Sequence, residues 1–212
     1  YDGKVVATLV RKKAAQATKK AVLYVHGFAD YFFQKEMAEQ FNQHGYDFYA
    51  LDLRKYGRSK LPHQTLYYVR DLREYDAEIS KSLEIISQEN HNQVLLAGHS
   101  TGGLITTIYA VHYPDHRLVK ALWANSPFYD FFKSIIEKKV GIPLLSEFGK
   151  RFPNAKFPSG LNPWYVPSLH KKFHGEWEFN LEWKPESMPF VQLCFVHAIH
   201  EAQKEIHKGI TL

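Results

Sequence analysis

Up to residue 125, apolar and polar positions fall into two alternating rhythms; beyond it they follow neither. Apolar runs at "KVVATLV" (4–10), "KAVLYVHG" (20–27), "YDFYALD" (46–52), "QVLLAGH" (93–99) and "LVKALWAN" (118–125) predict strands. A strand buried on both faces needs a short, nearly unbroken apolar stretch of this kind. Between the runs, apolar residues recur every three or four positions, the spacing of one helix face. Phe33, Met37 and Phe41 predict a helix closed by His44 and Gly45. Leu72, Tyr75, Ile79, Leu83 and Ile86 predict a longer one ending near Asn90, and "GLITTIYAVHY" (103–113) a third, stopped by Pro114. Strands alternating with helices predict an α/β fold: a mostly parallel sheet, helices on both faces, right-handed crossovers.

After Asn125 the pattern breaks. Aromatics from Phe128 to Trp183, among them Phe131, Phe132, Trp164 and Trp177, are interrupted by prolines at 143, 153, 158, 163, 167, 185 and 189. That predicts an inserted cap of short helices and loops rather than another strand–helix repeat, and long irregular connections of this kind are usually functional. Helix is expected to resume over 190–208. The resulting division is a core over 1–127, a cap over 128–190 and a returning helix over 191–212.

Composition narrows the class. A chain of 212 residues, 45% hydrophobic and 23% charged, has the balance of one globular domain. No apolar run approaches the length of a membrane span. Cys194 stands alone, which excludes an internal disulfide and points to a reducing, cytoplasmic setting. The net charge of +5 comes from clusters such as "RKKAAQATKK" (11–20) and "LRKYGR" (53–58). No nucleic-acid module accompanies them, so solvated faces are expected and no nucleic-acid partner; transient contact with an anionic membrane surface stays open.

The chemistry concentrates in "LLAGHSTGG" (95–103). Ser100 falls where a strand should end and a helix begin, with Gly98 and Gly102 two positions either side and Gly103 next. A G-x-S-x-G turn of this kind thrusts a hydroxyl above the sheet edge, and bulk at the flanking positions would collide as helix packs on strand. The helix N-terminus favours developing negative charge, and the Thr101 amide points to where an oxyanion would form. The competing reading makes Ser100 an ordinary N-cap. "LYVHGF" (23–28) adds His26 and Gly27 directly after the strand expected beside it. There the Phe28 amide is expected to supply a second oxyanion donor, Gly27 to admit the substrate carbonyl and His26 to brace the loop.

These residues resemble the α/β-hydrolase superfamily. The order strand, His-Gly, helix, strand, "DLRKYGRS", helix, strand, "GHSTGG" is similar to its serine-aminopeptidase-like branch, which includes monoacylglycerol lipases and lysophospholipases. Lys55 and Tyr56 stand where that branch usually has glycine and histidine. The resemblance implies an α/β-hydrolase fold with an aromatic-lined cap over an acyl pocket. It also implies a catalytic acid after a later strand and a histidine near the C-terminus. The ends "YDGK" and "KGITL" look like cut edges, so the terminal strands, acid and histidine are expected to be missing from this sequence.

Candidate substitutes are few. Asp130 reads as a loop carboxylate, and His112 and His116 as surface or capping groups. His170 and His174 are expected to face solvent, and His197 and His200 to pack. Cys194 reads as a buried small hydrophobe. No metal motif and no G-x-G-x-x-G turn occur, so neither metal nor cofactor is expected. The expected activity is a serine hydrolase cleaving carboxylic esters with an apolar acyl chain. The alternatives are a catalytically incomplete binding or interaction protein, and a serine peptidase of the same fold.

Overall fold

The computed structural model describes residues 3–210, so the outermost positions of the expected core and returning helix lie outside the described residues. Five strands, β1 (Thr8–Lys12), β2 (Lys20–Val25), β3 (Asp47–Asp52), β4 (Gln93–His99) and β5 (Val119–Asn125), form one sheet in the order β1-β3-β2-β4-β5. Only β1 runs antiparallel to its neighbour. The fold is the expected α/β arrangement, with the first strand displaced. Val5 and Val6 precede it, and the pairing runs from Thr8 opposite Asp52 to Lys12 opposite Phe48.

The pleat explains why β2 to β4 read as continuous apolar runs. Leu23, Val25, Tyr49, Leu51, Val94 and Leu96 face one layer, while Val22, Tyr24, Phe48, Ala50 and Ala97 face the other. The first layer is filled by α2 (Asp76–Gln88) and α3 (Thr101–His112), the second by α1 (Lys35–Gln43). A 3-10 turn at Leu72–Tyr75 leads into α2, and a reciprocal capping box between Asp71 and Glu74 satisfies its free amides. Met37 and Phe41 pack on the sheet as expected. Phe33 does not belong to that stripe: it precedes α1 and its ring lies tilted against Phe179.

Residues 128–190 hold a single π-type turn (Glu137–Gly141), α4 (Ile142–Arg151), β6 (Lys156–Pro158) and a turn-rich stretch. The expected helix at 190 is corrected: β7 (Phe190–Gln192) first pairs antiparallel with β6, and α5 begins only afterwards (Leu193–His207). Among the described residues, no helix is long and apolar enough to cross a membrane.

The strand order sets the location of any site. From β2 the chain moves to β3 on one side and then to β4 on the other, so the loops leaving β2 and β4 diverge at their carboxyl ends. Open α/β sheets bind ligands in that crevice.

Candidate active site

Ser100 occupies the corner between β4 and α3 with φ 54° and ψ −118°, a backbone region costly for any residue but glycine. Its amide donates to Asn125 O at 3.0 Å, and its carbonyl accepts from Phe128 N at 2.9 Å and Leu104 N at 3.2 Å. The corner is thus held on both sides. Flanking space is minimal: a Cβ on Gly98 would sit 2.3 Å from Gly102 O, and one on Gly102 2.3 Å from Val25 O. A Cβ on Gly103 would lie 2.9 Å from Pro127 Cβ, and one on Gly27 a tight 3.1 Å from Ser100 Cβ. The N-cap reading is not met, because the Ser100 side chain makes no capping hydrogen bond to α3.

The loop leaving β2 comes alongside. Gly27, Phe28, Asp30, His99, Ser100 and Thr101 all border one cavity of about 660 Å³. Its other walls are largely apolar and come from residues 128–165 and from α5, including Phe131, Leu145, Phe157, Phe195 and Ile199. Among the described residues, neither the Phe28 nor the Thr101 amide is hydrogen-bonded to a protein acceptor. Phe28 itself is anchored by stacking on Phe195 at 4.5 Å and by an edge contact with Tyr67.

His26 is fully committed. Its Nε2 accepts from Leu53 N at 3.1 Å, so Nδ1 carries the proton donated to Gly27 O at 2.8 Å. It lies against Tyr56, and its two bonds tie the loop leaving β2 to Leu53. Asp52 is a second brace that motif reading did not assign. Buried at the end of β3, it accepts from Phe32 N at 2.9 Å and from Arg58 Nη1 at 2.7 Å. Lys55 takes a positive φ of 65° and donates from Nζ to Tyr68 O at 2.7 Å. That conformation is one glycine adopts without cost.

His99 has its pKa held below the ordinary histidine value, chiefly by burial, with Lys184 and His26 adding and Asp30 opposing. The other candidates lie elsewhere. Asp130 is exposed and paired with Lys138, and His112 links Asp76 and Glu205. His116 lies against Tyr109. His197 contacts Ser146, and His200 borders a separate open cleft. His170, expected in solvent, is instead buried: its Nε2 donates to Phe179 O and its Nδ1 accepts from Lys172 N. His174 lies against Trp164. Cys194 is buried, which raises its thiol to about 11 and leaves it inert at neutral pH. Among the described residues no cluster has the donors to hold a metal ion. The motifs also gave no sign of the buried pair Asp30 and Lys184, which meets across 154 positions.

The family model described as serine aminopeptidase, S33, matches residues 16–173. A curated relative, mouse (Mus musculus) epoxide hydrolase 4, is 29% identical over 147 residues, covering 68% of this chain but 39% of its own length. The chain therefore spans well under half of that relative. A monoacylglycerol lipase of Paleococcus ferrophilus superposes with a TM-score of 0.70 at 22% identity, covering 95% of this chain and 72% of its own. A soluble variant of monoglyceride lipase from Saccharomyces cerevisiae, in complex with a substrate analogue, gives 0.72 at 18% identity, covering 98% and 68%. The chain belongs to the serine aminopeptidase S33 family and has the α/β-hydrolase fold.

Proposed function

We propose that the whole protein is a serine hydrolase cleaving carboxylic esters of apolar acyl groups, of monoacylglycerol or lysophospholipid type. Ser100 attacks the acyl carbonyl, and the Phe28 and Thr101 amides receive the oxyanion. The observation that carries this reading is a hydroxyl with no capping role on a strained corner, and two amides without protein acceptors, on residues that border one largely apolar cavity. Each oxyanion donor is worth about 3–4 kcal/mol of barrier in such sites.

A hydroxyl nucleophile needs a base, and the base an orienting group. Neither lies on Ser100 among the described residues, and His26 is engaged on both ring nitrogens. A histidine and an acid contributed by sequence beyond these residues are therefore part of the proposal. A cytoplasmic setting, with the substrate met in solution or briefly at a membrane surface, completes it.

The mouse relative's name raises epoxide opening as a rival. Chemistry at residue 100 disfavours it: an alkoxide opening an epoxide leaves an ether, which water does not readily release. An acyl-serine ester, by contrast, hydrolyses. The test is steady-state hydrolysis of p-nitrophenyl esters of graded acyl length by the full-length protein and its Ser100→Ala variant. Turnover of butyrate and longer esters, lost in the variant, is expected. Activity surviving the substitution, or preference for an aminoacyl anilide or an epoxide, overturns the reading.

A further inference from the structure

The wall of the Ser100 cavity contains a carboxylate. Asp30 sits two positions after Phe28, its side chain 5% exposed, and bonds through Oδ1 to Lys184 Nζ at 2.9 Å. Lys184 comes from the cap and its side chain is 1% exposed. Its ammonium lies over the rings of Phe33, Tyr165 and Phe179, with Tyr165 OH at 3.4 Å. A charge this dry persists only when matched, since stripping two ions of water costs several kcal/mol each.

The same limb of the cap is fastened to the loop at further points. Asn180 N donates to Tyr31 OH at 2.7 Å, Phe179 packs on Phe33, and Arg58 lies between Tyr31 and Trp183. Residues 179–184 thus dock on 30–33, the segment immediately following the amide assigned to the oxyanion. Asp30 and Lys184 both influence His99, the residue preceding Ser100, with opposite signs.

We propose that Lys184 is a positioning residue for acyl transfer: it cancels the Asp30 charge at the cavity wall and so keeps the Gly27–Asp30 loop seated with the Phe28 N–H beside Ser100. This rests on the reading of Ser100 as nucleophile. Without the ammonium, a bare buried carboxylate is left at the wall of the cavity in which the oxyanion develops. It then either opposes that charge or turns outward to reach water, carrying the amide with it. Losing both charges removes that conflict, while the Tyr31 and Phe33 contacts still hold the loop. Partial loss and full loss of the pair therefore have different consequences, and a loss read in kcat by folded protein with KM kept separates positioning from a purely structural pin.

The experiment uses full-length protein, with wild type first shown to be labelled by a fluorophosphonate and each variant shown to unfold cooperatively in urea. Lys184→Met is expected to lower kcat on p-nitrophenyl butyrate more than about tenfold with KM within about threefold. Lys184→Arg, and the double variant Asp30→Asn/Lys184→Met, are expected to stay within about tenfold of wild type. Unchanged kcat in Lys184→Met overturns the proposal. So does a double variant as slow as the single one, or a loss confined to KM. If Lys184→Met does not fold, the double and arginine variants decide by the same limit. A wild type that is not labelled removes the serine reading, and this proposal with it.

Discussion

Replacing Gly102 with alanine isolates the claim that close packing at the α3 start places the oxyanion donors. The added Cβ would meet Val25 O at 2.3 Å and His26 O at 2.4 Å, whereas real Cβ contacts essentially never fall below 3.0 Å. Both obstacles are backbone, so no side chain can swing away; α3 and the end of β2 must part by about 0.7 Å to reach even that limit. Overpacking of this kind costs about 1–3 kcal/mol, near the upper end where the neighbours are main chain. The displacement separates Thr101 N from the Phe28 loop, and a misplacement approaching 1 Å costs about 100-fold in rate. Urea denaturation measures the first effect and the second-order rate of fluorophosphonate labelling the second. Gly141→Ala is the control, because its Cβ would meet only Glu137 Cβ at 3.9 Å from a helical backbone. That substitution is expected to be neutral or to stabilise by about 0.4–1 kcal/mol. Wild-type stability and labelling in Gly102→Ala would refute the reasoning.

Four further outcomes follow from the same contacts. Asp52→Asn weakens the bond between a buried carboxylate and the part-exposed Arg58 and is expected to cost about 2 kcal/mol in urea unfolding, with slower labelling as the Phe32 segment loosens. Tyr31→Phe leaves Asn180 N without its acceptor, and a loss of about 1 kcal/mol is expected. Val196→Trp narrows the cavity beside Ser100; if acyl chains occupy it as proposed, kcat/KM for long-chain esters should fall at least about tenfold relative to acetyl esters. Glu78 bonds Arg54 yet is raised to about 7, because desolvation outweighs the arginine; Arg54 itself is raised, so the pair favours charge while burial disfavours the carboxylate. With the folded pKa above the unfolded one, the native state holds the extra proton between about pH 4.5 and 7. The stability of wild type over Glu78→Gln should therefore decline across that window, by up to about 3 kcal/mol, and level off above it. A difference that rises with pH would contradict the assignment.

The elements most legible in the sequence are those whose two faces are both buried. β2, β3 and β4 are read from apolar runs alone, because each residue meets one hydrophobic layer or the other. β1 was displaced because its register is set by pairing with β3, which no local pattern records. Phe33 carries helical spacing, yet Asp52 holds the preceding amide in a loop and the helix starts later. After residue 128, β6 and β7 have three residues each and meet across more than thirty positions, too little for a local signal. The Ser100 corner was legible because glycine at both flanks is a local steric demand. Asp52, Asp30 and Lys184 were not, since their roles arise only when distant segments close around them. His170 likewise sits beside two lysines in sequence but turns inward to Phe179.

The central claim is that residue 100 is an activated hydroxyl with main-chain donors at its side. The most direct measurement is peptide mapping by mass spectrometry of full-length protein after reaction with a fluorophosphonate. A single adduct on Ser100, absent in Ser100→Ala, is the expected result; an adduct on another residue, or none on folded protein, would contradict the account.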